Sequence, residues 1–162
     1  MQPLLVLKLL VLLAVANGTP LFAKKLFGDS VAYPMDGGLR LWDARPLFGA
    51  SKTIRGVVLA VALTAAATLA LDLDVAIGLA VGGGAMAGDL FSSFCKRRAG
   101  LAPSSRATGL DQIPEALFPL LLCSLWLDLT ALDVTVGVVA FFLGEIVLSR
   151  LLHHFNLREH PY

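Results

Sequence analysis

Five long apolar segments dominate this sequence and restrict the folds that are open to it. A helix needs about 20 mostly apolar residues to cross the hydrocarbon core of a bilayer. The five segments that approach or reach this length are residues 4–22, 54–71, 75–94, 116–129 and 134–152. Hydrophobic residues make up 57% of the chain and charged residues 15%, whereas soluble domains average about 25% charged residues. We therefore expect an all-α integral membrane protein, a single domain over residues 1–162 with about five transmembrane helices.

The first apolar segment has a second interpretation, as a cleaved signal peptide. Ala14-Val15-Ala16 resembles a small-residue cleavage site. The basic region that normally precedes the apolar part of a signal peptide is missing, because Lys8 lies inside the apolar run. We expect a retained helix, and signal cleavage stays as the alternative.

The placement of basic residues predicts the topology. They cluster in three places. The first long connection, 23–53, and the start of the second span hold Lys24, Lys25, Arg40, Arg45, Lys52 and Arg55. The second long connection, 95–115, holds Lys96, Arg97, Arg98 and Arg106, and the tail holds Arg150 and Arg158. The two short connections hold only acidic charges: Asp72, Asp74; Asp128, Asp133. Loops rich in Lys and Arg stay in the cytoplasm. We expect a multi-pass protein of the cell membrane, with both long loops and the C-terminus cytoplasmic and the N-terminus outside.

The third span is rich in glycine. Gly84 and Gly88 form a small-xxx-small pair, which allows two membrane helices to approach closely. The simplest interpretation of this pair is helix packing alone.

Three polar residues share one face near the inner end of the third span. Asp89 is followed by Ser93 after four residues and by Lys96 after seven. Asp111, just before the fourth span, adds a second carboxylate beside the basic cluster. Two hard carboxylates near cations suit Mg²⁺ bridged by substrate phosphates. The alternative is an Asp89–Lys96 pair that only neutralises itself. Glu145, within the fifth span, either faces the same cavity or pairs with a base elsewhere.

The end of the first loop combines cations and hydroxyls. Residues 45–56 read Arg-Pro-Leu-Phe-Gly-Ala-Ser-Lys-Thr-Ile-Arg-Gly and lead into a helix N-terminus, where backbone N–H groups attract anions. Lys and Arg side chains add phosphate contacts, although the spacing is not that of a Walker A loop. The alternative is a loop that binds anionic lipid head groups.

Several short motifs, in order, make the chain similar to the CDP-archaeol synthase family, membrane cytidylyltransferases related to the phosphatidate cytidylyltransferases of bacteria and eukaryotes. The matching stretches cover nearly the whole chain: Asn17-Gly18-Thr19-Pro20 at the end of the first span, Asp36-Gly37-Gly38, Arg45-Pro46-Leu47-Phe48-Gly49, Ser51-Lys52-Thr53-Ile54-Arg55-Gly56, Gly88-Asp89-Leu90-Phe91, Ser93-Phe94, Lys96-Arg97-Arg98 and Leu110-Asp111-Gln112.

The resemblance implies a reaction in which CTP and a lipid phosphate, of archaetidic or phosphatidic acid type, give a CDP-activated lipid and pyrophosphate. It implies Mg²⁺ held by Asp89 and Asp111, which with Lys52 and Lys96 are the expected catalytic residues. The expected substrate-binding residues are Asn17, Arg45, Ser51, Thr53, Arg55, Ser93 and Arg97. We expect CTP, a lipid phosphate acceptor and membrane lipids as partners and no nucleic acid; the oligomeric state is open.

The sequence departs from the family pattern after Leu110-Asp111-Gln112. An acidic residue is expected soon afterwards, and Glu115 takes this place one position late. The linkage of the lipid acceptor, ether or ester, is open. A different class of protein is the alternative to an enzyme: a non-catalytic membrane subunit or small transporter whose basic loops bind anionic lipid or a partner. The two aspartates argue against it, because carboxylates weaken a surface built only to attract anions.

Overall fold

The structure is a computed structural model that describes residues 1–28, 30–103, 105 and 107–154, with side chains described as far as residue 149. The described residues form five α-helices: α1 (Pro3–Phe27), α2 (Ile54–Ala67), α3 (Val75–Arg98), α4 (Gln112–Cys123) and α5 (Ala131–His154). A short 3₁₀ helix, Thr68–Leu71, extends α2. The expected all-α class is confirmed. The C-terminus, which we expect in the cytoplasm, lies outside the described residues.

Not every helix is long enough to cross a membrane by itself. Four helical segments of the described chain are long and apolar enough: Pro3–Phe27, Ile54–Leu71, Val75–Arg98 and Ala131–Ser149. α4 has 12 residues, about 18 Å at 1.5 Å per residue, against a hydrocarbon core of about 30 Å. The chain from Asp111 to Asp128, which contains α4, still reaches from one end of the bundle to the other. Asp111 contacts Lys96 at the end of α3, and the carbonyl of Asp128 accepts a hydrogen bond from Gln2, next to the start of α1.

α1 continues beyond the point where the sequence motif suggested that it ends. The prediction placed its end near residue 22, with Asn17 to Pro20 as the closing motif, but the helix passes through Pro20. Pro20 lacks the backbone N–H that would bond the Ala16 carbonyl, and two polar side chains before it add bonds to carbonyls one turn earlier in the helix. Thr19 donates to the carbonyl of Val15 at 2.7 Å, and Asn17 donates to that of Leu13 at 3.1 Å.

The last two helices also begin earlier than the apolar segments 116–129 and 134–152. α4 ends at residue 123 because the chain reverses between residues 124 and 130 before α5 begins. Thr130 and Asp133 cap the start of α5 reciprocally. The Asp133 N–H donates to the Thr130 hydroxyl at 3.2 Å, and the Thr130 N–H donates to the Asp133 carboxylate at 3.1 Å. Hydropathy alone misses such polar helix starts.

α3 lies between α2 and α4, and its glycines make this close packing possible. A Cβ atom on Gly84 would lie 2.7 Å from the Cα of Pro119, and one on Gly88 would overlap the Pro114 carbonyl. On the other side, a Cβ on Gly78 would lie 2.6 Å from the backbone of α2. The close helix contact expected from the small-xxx-small pair is confirmed.

α1 contributes fully to the core of the bundle. All five helices supply buried apolar residues, among them Leu9, Leu12, Leu13, Ala16, Ala60, Val81, Ala85, Ala116, Leu120, Val134 and Phe141. In water, the hydrophobic effect stabilises such contacts by about 0.8 kcal/mol for each CH₂ group that is buried. Between membrane helices, close van der Waals packing stabilises them instead. α1 therefore forms one wall of this core.

Candidate active site

An ion pair joins the first loop to α3. The Nζ of Lys52 lies 2.5 Å from each carboxylate oxygen of Asp89. Lys52 is held there because Thr53 caps α2, its hydroxyl accepting the Gly56 N–H at 3.2 Å. Both charged side chains keep about a fifth of their surface exposed, 22% and 20%. The pair is therefore open to an incoming solute.

A second ion pair lies near the C-terminal end of α3. Lys96 Nζ is 2.6 Å from Asp111 Oδ1 and donates to the Ser105 carbonyl at 3.1 Å. The other oxygen of Asp111 accepts the Ala107 N–H at 2.9 Å. The alternative of an internal Asp89–Lys96 pair is therefore wrong: each of these two residues pairs with a partner from another segment.

Glu115 adds a third carboxyl group beside these two ion pairs, and we call the residues of the two pairs together with Glu115 the cleft. It is 7% exposed, and its carboxyl group lies near that of Asp89 and within electrostatic range of Glu145 on α5. Glu115 follows Asp111 by four residues, so both lie on one face of α4, roughly 6 Å apart along its axis. In the sequence, Glu115 stood out only as the acidic residue that the family pattern expects after Leu110-Asp111-Gln112.

The spacing between α3 and α4 is fixed beside these charges. The Ser92 hydroxyl lies 2.9 Å from the Gly88 carbonyl and 2.6 Å from the Leu110 carbonyl. Ser92 thus ties the residue before Asp111 to α3. The sequence pointed to its neighbour Ser93, which is 3% exposed. The sequence motifs did not single out Ser92. Its position four residues after Gly88 places it on the helix face that packs against α4.

The three arginines expected to bind substrate, Arg45, Arg55 and Arg97, donate to backbone carbonyls in this structure. Carbonyls at helix C-termini and in loops lack helical partners and carry partial negative charge, which attracts guanidinium groups. The contacts are Arg45 to the Arg98 carbonyl at 2.6 Å, Arg55 to the Gly28 carbonyl at 2.9 Å, and Arg97 to the Ala102 carbonyl at 2.7 Å. Their donors hold the loops to the ends of α1 and α3.

The remaining predicted residues are divided between the cleft and the helices. Ser51 is exposed in the loop directly before Lys52. The Thr53 hydroxyl is already used as the cap of α2. Asn17 bonds within its own helix. The structure therefore pairs Lys52 with Asp89 and Lys96 with Asp111, and it gives Thr53 and Asn17 local partners.

Asp36 organises the first loop. One of its oxygens accepts the N–H groups of Phe48 and Gly49 at 2.9 and 3.0 Å, and the other accepts that of Gly38 at 3.0 Å. Partial burial by itself would raise the pKa of Asp36, but hydrogen bonds from Gly49, Phe48 and Gly38 outweigh it and lower the pKa. The family motif contained this residue, but the sequence did not indicate its partners.

The carboxyl groups suit a metal bound together with phosphate rather than a closed metal cage. Within the described part of the chain, no three His, Cys, Asp or Glu side chains are arranged to hold a metal ion. Mg²⁺ usually takes only one or two protein carboxylates and completes its shell with water and substrate phosphates. The hard oxygen donors of Asp89 and Asp111, each beside a lysine, fit that kind of site.

Comparison with known proteins identifies relatives of the whole bundle. Residues 62–162 match a family model described as CarS-like, CDP-archaeol synthase. A CDP-archaeol synthase of Pyrobaculum aerophilum is 31% identical over 144 residues, which are 86% of this chain and 81% of that protein. One from Hyperthermus butylicus is 38% identical over 104 residues, 60% of this chain, and the match spans 59% of that relative's length.

A solved structure shares the fold. It is described as an intramembrane enzyme for archaeal membrane lipids biosynthesis, with a TM-score of 0.68 and 28% sequence identity. The similarity covers 85% of this chain and 90% of the other. The helical bundle found here is thus the architecture of a membrane-embedded enzyme.

Proposed function

The chain belongs to the CDP-archaeol synthase family, and on that premise we propose that it transfers the cytidylyl group of CTP to an archaeal-type lipid phosphate. The products are a CDP-activated lipid and pyrophosphate. We further propose that both basic loops face the cytoplasm, where CTP is available, so that nucleotide and lipid phosphate meet at the membrane surface.

The observation that carries this proposal is the two ion pairs that α3 makes, one with the loop before α2 and one with the loop before α4. Lys52–Asp89 and Lys96–Asp111 place two cations and two carboxylates along one side of α3. A surface that only attracts anions does not need buried and half-buried carboxylates next to its lysines. A site for a metal–triphosphate needs both kinds of charge, because cations contact phosphate while carboxylates hold the metal.

The reaction needs no covalent enzyme intermediate. An oxygen of the lipid phosphate attacks the α-phosphorus of CTP, a new P–O bond forms, and the bond from the α-phosphorus to the bridging oxygen breaks with release of pyrophosphate. Positioning and charge neutralisation supply the catalysis in such transfers. Lysine side chains in the cleft neutralise charge on the phosphates as it shifts to the leaving group.

The residues of the two ion pairs and Ser51 have distinct roles in this proposal. Asp89 and Asp111 would hold Mg²⁺, which when bound neutralises phosphate charge and orients the triphosphate. Lys52 and Lys96 exchange their carboxylate partners for phosphate oxygens when substrate arrives. Ser51, exposed beside Lys52, donates a hydrogen bond to phosphate.

The test is transfer of label from CTP to lipid by the purified protein in vesicles with Mg²⁺. We expect labelled CDP-lipid from the wild type and a loss of about 10²-fold or more for Asp89→Asn, in line with the removal of one group that stabilises transition-state charge. Asp43→Asn is the matched control. Asp43 also forms a 2.6 Å ion pair, with Arg98, which is separate from the two pairs of the proposed site, and we expect Asp43→Asn to keep its turnover at saturating lipid.

The same preparation separates the enzyme from the non-catalytic alternative. CTP with Mg²⁺ should raise the thermal stability of the native protein, since a ligand that binds only the folded state stabilises it. No turnover and no stabilisation by CTP would overturn the proposal and favour a membrane subunit or transporter. Full turnover by Asp89→Asn would overturn the metal assignment alone.

The acceptor is assigned by comparing lipids. The relatives named above are CDP-archaeol synthases from archaea, so we propose an ether-linked isoprenoid lipid phosphate. A panel that varies linkage and chain type at constant CTP should show the highest kcat/KM for the ether lipid. Equal use of phosphatidic acid would contradict this choice of acceptor and leave the reaction class intact.

A further inference from the structure

Trp42 stands at the tip of a turn in the first loop. Its side chain is 87% exposed, more than that of any other large apolar residue in the described part of the chain. Arg40 and Pro46 form an isolated bridge at the base of this turn, which comprises residues 41–44. The residue is not part of the cleft, and the proposed reaction does not use it.

The turn is held firmly in place. Its backbone closes through the Leu41 N–H to the Arg45 carbonyl at 3.0 Å and the Ala44 N–H to the Leu41 carbonyl at 2.9 Å. Ala44 adopts a left-handed conformation, with φ of 58°, which non-glycine residues avoid unless their surroundings enforce it. The guanidinium of Arg40 donates to the Ala44 carbonyl at 3.1 Å. A rigid turn thus presents an exposed tryptophan.

The turn is fastened to the last turn of α3. Asp43 pairs with Arg98 at 2.6 Å, and Arg45 donates to the Arg98 carbonyl at 2.6 Å. Arg98 closes the basic run at the end of a membrane-spanning helix. Basic residues in that position mark the interface between the hydrocarbon and the water. Trp42 therefore stands at the depth of the lipid head groups.

The second tryptophan of the chain lies at the opposite end of the bundle. Trp126 is 67% exposed in the reversal after α4, close to the carbonyl of Asp128 that contacts Gln2. Tryptophan is enriched at both membrane–water interfaces because its ring is apolar and its N–H is polar. One exposed tryptophan at each end of a membrane bundle is the pattern of two interfacial anchors.

Charge at the same end of the bundle favours lipid as the contact. Arg40 next to the turn is exposed, and so are Lys24 and Lys25 at the end of α1. Exposed cations at this depth are attracted to anionic head groups. Tyr33 and Leu39, in the same loop, also expose more than half of their surface, 66% and 55%. Apolar and basic groups together fit a lipid surface.

We propose that Trp42 inserts into the head-group layer of the bilayer on the side of the two basic loops, and so anchors the first loop there. The turn connects to the cleft through the loop backbone. Leu47 N–H donates to the Leu39 carbonyl at 2.9 Å, and Met35 N–H donates to the Lys52 carbonyl at 2.7 Å. An anchored turn thus holds Lys52 at the level of the lipid phosphates.

Fluorescence of a single tryptophan tests the insertion independently of any activity. Trp126→Phe leaves Trp42 as the one tryptophan, and the full chain is reconstituted in vesicles of phosphatidylcholine and phosphatidylglycerol. We expect an emission maximum shifted to the blue of a water-exposed tryptophan, little quenching by aqueous iodide, and stronger quenching by lipids brominated near the head group than near the chain end. Trp42→Phe, which reports Trp126, serves as the reference for an interfacial residue.

Two results would overturn the insertion. Emission like that of free tryptophan with full iodide quenching would place Trp42 in water. Shielding from iodide without quenching by any brominated lipid, and dependent on the ratio of protein to lipid, would assign the surface to a second copy of the chain.

The positioning of the cleft is tested by Trp42→Ser, and this part rests on the proposed function. We expect a several-fold higher KM for lipid phosphate in vesicles with an unchanged KM for CTP. An unchanged KM for the lipid would overturn the positioning role, whereas failure of the proposed reaction itself would appear as no turnover by the wild type.

Discussion

At the scale of single residues, we expect the Lys52–Asp89 pair to contribute more to the proposed reaction than to stability. Both side chains are about a fifth exposed, and ion pairs open to solvent contribute about 0–1 kcal/mol to folding. We therefore expect Lys52→Met and Asp89→Asn each to lower the free energy of unfolding by about 1 kcal/mol or less. Each should reduce turnover by about 10²-fold or more. Thermal unfolding in detergent and the labelled-CTP assay measure the two effects on the same samples.

Exchanging the two charges distinguishes a site from a structural pair. The double variant Lys52→Asp with Asp89→Lys keeps opposite charges at the same two positions. A pair that only neutralises itself would tolerate the exchange. The proposed roles differ, since one residue contacts phosphate and the other the metal, so we expect the double variant to stay inactive. Restored turnover would show that the pair is structural.

Asp36 gives the first loop a dependence on pH. A carboxylate whose pKa is lowered by folding contributes stability above its unfolded-state pKa, and this contribution disappears as the pH falls through the folded-state value. The pKa of Asp36 lies below its ordinary value of 3.8. We expect the N–H groups of Phe48 and Gly49 to stay protected from hydrogen exchange as the pH falls to about the ordinary pKa of an aspartate. Below it, as the pH passes through the lower pKa of folded Asp36, they should lose protection. In Asp36→Asn, protection should be weaker and should not vary with pH across this window.

Much of the cleft could be predicted from residue types, but the pairing of charges could not. Asp89, Asp111, Lys52 and Lys96 were predicted as one site, and in the structure they form two ion pairs on α3, Lys52–Asp89 and Lys96–Asp111. Their partners were not predictable, because Lys52 reaches Asp89 across 37 positions of the chain, and no local rule sets that contact. Guanidinium groups bind carbonyls and phosphates with the same donors, so the sequence alone did not show that Arg45 and Arg55 hold helix ends.

At the scale of the helices, the glycines of α3 set how closely α4 can approach. A Cβ on Gly88 would overlap the Pro114 carbonyl, whereas one on Gly83 would meet nothing within 4 Å. We expect Gly88→Ala to lower the free energy of unfolding by about 1–3 kcal/mol, as overpacking does in tight interfaces, and to shift the residues of α4 in the cleft. Gly83→Ala, in the same helix, should be neutral or stabilising by up to about 1 kcal/mol, since alanine favours helix. Thermal unfolding in detergent compares them directly; equal losses in both would contradict the close contact.

The helix boundaries show what hydropathy can and cannot predict. The second segment, 54–71, coincides with α2 and its 3₁₀ extension, because its ends are marked by polar residues. The fourth segment, 116–129, does not coincide with α4. The helix begins earlier, at polar residues, and residues 124–129, although apolar, form the reversal before α5. A hydropathy window reports how apolar a segment is. Caps and reversals depend on hydrogen bonds such as those of Thr130 with Asp133.

At the scale of the whole molecule, the two ends of the bundle differ in charge. The end that carries the cleft holds the basic loops, while the opposite end holds acidic residues, among them Asp128 and Asp133. Asp133 is 1% exposed, and its carboxylate accepts the N–H of Gln2 at 2.8 Å, so it joins the starts of α1 and α5. This difference in charge predicts that the end with the basic loops faces the cytoplasm, since basic loops are retained there.

Labelling of single cysteines tests that orientation in intact cells. In a background with Cys95→Ser and Cys123→Ala, Ala50→Cys reports the cleft end and Ala131→Cys the opposite end; both native alanines are exposed. We expect a membrane-impermeant maleimide to label Ala131→Cys in intact cells and Ala50→Cys only after permeabilisation. The reverse pattern would place the cleft outside, away from CTP, and so would contradict the proposed reaction as well as the topology. Labelling of both positions in intact cells would mean that the chain inserts in two orientations, and the charge difference between the ends would then be too small to fix its direction.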